Sequence, residues 1–90
     1  MKDNVHWRRS DDWVGSEIED SFVMVNIDSG KYVALNSTAR VVWQALDQPQ
    51  SEDQLTQQLM ARFAVEEAHC RRSLVTLLGT MQSLNMAAQV

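Results

Sequence analysis

One cysteine, one proline and three glycines in 90 residues leave this chain few devices for stapling or interrupting a small fold. Cys70 by itself cannot form an intrachain disulfide, nor does a second thiol exist for a structural zinc site, so folding must rest on packing. No apolar run approaches the ~18 residues that a membrane-spanning helix needs. The opening stretch MKDNVHWRRSDDW also lacks the apolar centre of a signal peptide. No membrane partner is therefore expected, and the expected location is the cytoplasm. Positive charge is scarce as well: 8 Lys and Arg stand against 12 Asp and Glu, a net charge of −4. Duplex binders are usually basic, because counterion release from phosphate supplies their non-specific affinity, so no nucleic-acid partner is expected.

Catalytic groups are equally sparse. His6 and His69 are the only histidines, and His69 and Cys70, adjacent on a helix, diverge by about 100° and do not converge on a metal. Eight of the twelve carboxylates fall in neighbouring pairs, Asp11-Asp12, Glu19-Asp20, Glu52-Asp53 and Glu66-Glu67, at turns and helix starts where turn chemistry and the helix dipole account for them. Gly15, Gly30 and Gly79 form no phosphate-cradling loop. The expectation is a non-catalytic protein without cofactor or metal.

What the chain does have is a clean change of period. Ninety residues make one domain, divided here into an N-terminal arm, residues 1–12, and a folded unit, residues 13–90. Val5 and Trp7 alternate with polar residues, so the arm is read either as a short extra strand or as a mobile segment. From Trp13 to Leu35 the period is near two, which predicts strands at Trp13–Ile18, Phe22–Ile27 and Lys31–Leu35. Glu19-Asp20-Ser21 is the first turn. Asp28-Ser29-Gly30 is the second, with Gly30 supplying the left-handed residue of a three-residue hairpin. Val23, Val25 and Ile27 are expected to face the core from one strand, Val33 and Leu35 from the next.

At Asn36 the period lengthens. Asn36 or Ser37 is positioned to cap a helix carrying Ala39, Val42, Trp43 and Leu46 on one face. Past Pro49, Ser51 and Gln54 form a capping box ahead of Leu55, Leu59 and Phe63. A third helix from about Glu66-Glu67 to Asn85 carries Cys70, Leu74, Leu77, Leu78, Met81 and Leu84, with Gly79 marking an expected close approach to its backbone. The order β-β-β-α-α-α predicts an α+β fold: a winged helix-turn-helix-like domain in which a three-stranded antiparallel sheet is followed by three helices. As a DNA reader the third helix would enter a groove N-terminus first. Glu66 and Glu67 oppose that. The remaining resource is backbone: an unpaired sheet edge is a template for another chain.

The segment from Ile27 to Trp43, with Gly30, Tyr32, Leu35-Asn36, Ala39 and Val42-Trp43, resembles the pyrroloquinoline-quinone biosynthesis protein D family. These PqqD-like domains are also called RiPP recognition elements, which serve ribosomally made, post-translationally modified peptides. The likeness extends through Pro49–Leu55 and the third helix, over about residues 13–86. Two departures are Ala39 in place of the more usual Gly, and Leu84–Ala88 without the Gly common near the end of the last helix.

The resemblance implies a peptide chaperone: leader peptide binding as an added strand on the third strand, against the third helix, followed by presentation to a modifying or processing enzyme. Carried onto this chain, it implies contacts from Lys31, Tyr32, Val33, Ala34 and Leu35, plus Arg71, Leu74, Val75 and Leu78. Proline at Val33 is expected to block strand addition if the Val33 amide points outward. The partner it implies first is the leader segment of a precursor peptide. The free-standing size and the Trp43 and Asp47-Gln48-Pro49 region look more like the lasso peptide biosynthesis type, whose enzyme is a cysteine protease; the runner-up is the quinone pathway with its radical SAM enzyme. Pairing of the same edge with a second copy would give a homodimer.

Overall fold

The computed structural model describes residues 5–90. Its elements are β1 (Trp7–Arg9), β2 (Trp13–Ile18), β3 (Ser21–Asn26), β4 (Tyr32–Leu35), α1 (Ser37–Ala45), α2 (Glu52–Arg62), α3 (Glu67–Ser83) and β5 (Ala87–Gln89). Strands β2, β3 and β4 form an antiparallel sheet in that order, and the three helices follow it. This is the α+β layout expected from the change of period.

A second, two-stranded sheet joins the ends of the chain. β1 pairs with β5, Trp7 opposite Gln89. The other side of β1 bonds to the α1–α2 connection. Trp7 N–H donates to Gln50 O at 2.7 Å, Gln50 N–H returns to Trp7 O at 2.9 Å, and Arg9 N–H donates to Leu46 O at 3.0 Å. Trp7 is buried in the core, and the Arg9 guanidinium lies 5.0 Å from the centroid of buried Trp43. The segment assigned to an arm therefore contributes a strand and a core tryptophan. Residues 1–4 of that arm lie outside the described residues.

The helices start and stop where local chemistry dictates. The Asn36 side chain accepts the Ala39 N–H at 2.8 Å and caps α1. At α2 both halves of the capping box are formed: Ser51 Oγ accepts Gln54 N–H at 3.1 Å, and Gln54 Oε1 accepts Ser51 N–H at 2.8 Å. α3 ends in a Schellman motif. Asn85 takes the left-handed conformation (φ 60°), its N–H reaches Gln82 O, and Met86 N–H reaches Met81 O at 2.7 Å. Asn is the residue after Gly that best tolerates this conformation, which explains how the chain dispenses with a glycine here. No atom from outside the local helix backbone lies within 4 Å of a Cβ built on Gly79, so the close approach expected there does not occur.

The sheet corrects one expectation. The core-facing residues of β3 are Phe22 and Met24, the latter fully buried, and not Val23, Val25 and Ile27. β3 is apolar on both faces, so its period could not say which face turns inward. The register does: Met24 lies opposite Val33 and Phe22 opposite Leu35, on the side packed against the helices. Val33 and Leu35 face that core as expected.

Candidate functional site

Strand β4 is an edge strand. β3 occupies one side, and no other described strand pairs with its outer side. Which of its backbone groups point outward follows from the ladder. Asn26 N–H donates to Lys31 O at 2.8 Å, which makes Asn26 and Lys31 a hydrogen-bonded pair. Antiparallel pairs alternate, so Met24–Val33 and Phe22–Leu35 are bonded pairs, whereas Val25–Tyr32 and Val23–Ala34 are not. The amides and carbonyls of Tyr32 and Ala34 therefore point away from the sheet. Val33 spends its amide on Met24, which corrects the condition attached to a proline at that position.

The hairpin holds this edge in place. The Asn26 side-chain oxygen accepts N–H bonds from Asp28 at 2.9 Å and Ser29 at 2.8 Å. Gly30 at φ 76° donates its N–H to Asn26 O, the left-handed closure expected of the loop. Lys31 immediately precedes β4 and is exposed. Tyr32 and Ala34 present exposed side chains on the sheet face away from the helices, and Val33 and Leu35 are half-buried on the other.

The third helix is divided differently from the expectation. Leu74 and Leu78 are each 1% exposed and lie inside the core, so they underlie the surface and do not form it. Arg71 is drawn toward α2. It donates to Asp53 at 2.7 Å and to Glu67 at 3.0 Å, and these bonds, Asp53 first, raise its already high pKa. Val75, exposed, follows one turn on along that same flank. The opposite flank of α3 carries His69, Ser73 and Leu77. Here Cys70, Ser73 and His69 meet Thr38, Leu59, Phe63 and Val65 around an apolar recess of about 110 Å³. Thr38 stands three residues beyond the end of β4, so the recess lies at the Leu35 end of the open edge. A larger polar hollow of about 590 Å³ adjoins it, lined among others by Leu35, Asn36, Arg40, Arg62 and Phe63.

The structure thus brings the Ser73 flank of α3 to Thr38 at the start of α1, just beyond the Leu35 end of β4, and turns Arg71 toward α2. Helical spacing exposed both flanks of the Cys70–Met81 stripe equally. The opposite charges of Asp53 and Arg71 were the one signal in the sequence that would have assigned Arg71 to α2. Among the described residues no group of three or more His, Cys, Asp or Glu is placed to hold a metal ion. No helix among them is long and apolar enough to cross a membrane.

A family model described as coenzyme PQQ synthesis protein D (PqqD) matches residues 21–87, from β3 to the start of β5. The chain belongs to the PqqD family. Two solved structures share the fold of this PqqD-family chain. TbiB1 in complex with the TbiA(beta) leader peptide is 20% identical, with a TM-score of 0.78 over 89% of this chain and 93% of its own. Lasso peptide synthetase B1 complexed with the leader peptide is 24% identical, with a TM-score of 0.79 over 91% and 96%. No curated protein matches the chain.

The resemblance first seen in Leu35-Asn36 to Trp43 can now be assigned physical roles. Asn36 is the α1 cap, Ala39 is buried in the core, and Trp43 is buried beneath Arg9. Those residues build the fold and position β4; the open edge beside them is almost entirely backbone.

Proposed function

We propose that this chain is a non-catalytic chaperone that captures the leader segment of a precursor peptide as an added antiparallel strand on β4. The observation that carries the reading is the free edge, where Tyr32 and Ala34 each offer an outward N–H and C=O. Its family membership, and the leader peptides held by both structural neighbours, support it.

An incoming strand gains about four main-chain bonds at ~0.5–1.5 kcal/mol each. One or two apolar anchors, the first in the Thr38–Phe63–Ser73 recess, add ~1.5–3 kcal/mol apiece. Ordering a flexible peptide takes back ~2–5 kcal/mol, so a micromolar affinity of ~8 kcal/mol draws on the upper end of both gains. In the proposed site Lys31–Leu35 supply the edge. Ser73 and Leu77 supply the helix flank, in place of Arg71 and Val75, with Leu74 and Leu78 as the packed floor.

The captured leader would then be presented to a processing enzyme. A cysteine protease of lasso peptide assembly is favoured, because one of the two structural neighbours is a lasso peptide synthetase B1. A radical SAM partner is the second reading, carried by the family description itself. The test is a fluorescence anisotropy titration of the purified chain with synthetic leaders encoded near its gene, including candidates of both types. Saturable binding by one leader at micromolar concentration or below is expected. No binding by any of them, with the chain folded, would overturn the reading.

A further inference from the structure

The sheet face turned away from the helices carries Val14, Ser16 and Ile18 from β2, Ser21, Val23 and Val25 from β3, Ile27 just beyond it, and Tyr32 and Ala34 from β4. Not one of these nine side chains is charged. Val14 is 54% exposed, Ile18 55%, Val25 40%, Ile27 64% and Tyr32 71%, and no helix covers them. Together these five expose roughly 500 Å² of mostly apolar surface, near the top of the ~300–600 Å² that a monomer ordinarily shows in one patch. That is over half of the ~800 Å² each partner gives to a standard protein interface. An antiparallel sheet ordinarily turns polar side chains to water, so a face of this composition calls for a cover.

The rim says what kind. Glu19 and Asp20 occupy the turn at one end of the sheet. At the other end Asp12 and Asp28 line one groove with Asn26 and Asn85, next to exposed Asp11, and Asp12 O accepts the Ile27 N–H. Lys31 is the single cation of β4 and its hairpin. Two copies packed face to face with their strands aligned, parallel or antiparallel, would bring acid against acid at both ends. A face-to-face homodimer is therefore disfavoured, and a basic-rimmed surface is favoured.

We propose that this face docks a second, different protein, one presenting an apolar patch flanked by Lys and Arg: the enzyme that processes the captured peptide. The proposal rests on the leader-capture reading. Tyr32 belongs both to this face and to the open edge, so an enzyme seated here would lie against the bound leader.

The test uses the full chain, its leader and the purified cysteine protease encoded beside it. The double variant Val14→Lys/Ile18→Lys alters the face at its far side from β4, and Asp28→Lys alters only the rim. Both substituted face positions are more than half exposed, and circular dichroism checks that each variant folds. Isothermal titration should give a one-to-one complex with the wild-type chain. The double variant should weaken it at least tenfold, and Asp28→Lys should weaken it at low salt, where charge pairing is least screened. Leader affinity should be unchanged in both. An enzyme that does not bind the wild-type chain, or that binds the double variant equally well, overturns the proposal. So does a wild-type dimer, seen by light scattering, that the double variant dissociates, since the face would then belong to a second copy. Failure of leader binding with enzyme binding intact would instead remove the leader-capture reading and leave this surface standing.

Discussion

Phe22 packs its ring directly over Gly15 on the neighbouring strand. A Cβ built on Gly15 would lie 2.5 Å from Phe22 Cζ and 2.6 Å from Cε2, closer than any real contact. The ring has little room to retreat, because the Arg40 guanidinium sits 4.9 Å from its centroid and is itself tied to Glu17 by a bond of 2.8 Å. Gly15→Ala is therefore expected to destabilise the fold by about 1–3 kcal/mol through overpacking. The double variant Gly15→Ala/Phe22→Leu should recover part of that loss, and urea denaturation of both measures it.

Thr56 presents the opposite case. It is 1% exposed within α2, and its hydroxyl has no hydrogen-bond partner. A buried, unsatisfied hydroxyl costs roughly 1–3 kcal/mol, and valine keeps the branched shape without the polar atom. Thr56→Val should raise the urea midpoint, by about 1 kcal/mol in stability, with the denaturant slope unchanged. A lower midpoint would mean that the hydroxyl is satisfied in solution.

Gly79 faces open space in the middle of α3, with nothing from outside the local helix backbone within 4 Å of the position a Cβ would take. Its cost to the helix is conformational, and Gly79→Ala should stabilise the chain by about 0.5–1 kcal/mol. Thermal unfolding followed by circular dichroism is sufficient to see it.

These sites show where the sequence was legible. Caps and turns declare themselves locally, so Asn36, Ser51–Gln54 and Gly30 were all readable and each is formed. Long-range placement was not readable from period alone. β3 offered apolar residues to both faces, and only the cross-strand partners of Met24 and Phe22 decide which face turns inward. Trp7 looked like part of an arm because its partners, Gln50 and Gln89, are more than forty residues away. The pairing of Arg71 with Asp53 was hidden for the same reason: it depends on where α2 packs.

The open edge yields the last prediction, a contrast between two adjacent positions. Ala34 lies opposite Val23 in a non-bonded pair and turns its amide outward, whereas Val33 is bonded to Met24. Proline removes an amide and fixes φ near −65°, which an edge strand tolerates when the lost N–H faced solvent. Ala34→Pro should therefore leave the fold intact, since its side chain and amide are both exposed. It deletes one of about four bonds to an added strand and places the pyrrolidine ring in that strand's path. Leader affinity should fall at least tenfold, a loss of about 1.4 kcal/mol or more. Val33→Pro acts on the other side: it breaks the internal ladder and should destabilise the sheet by several kcal/mol. Measuring unfolding midpoint and leader binding for both variants separates the two effects. An Ala34→Pro chain that stays folded and binds leader at wild-type strength would exclude strand addition on β4, and the peptide would then have to bind elsewhere on the surface.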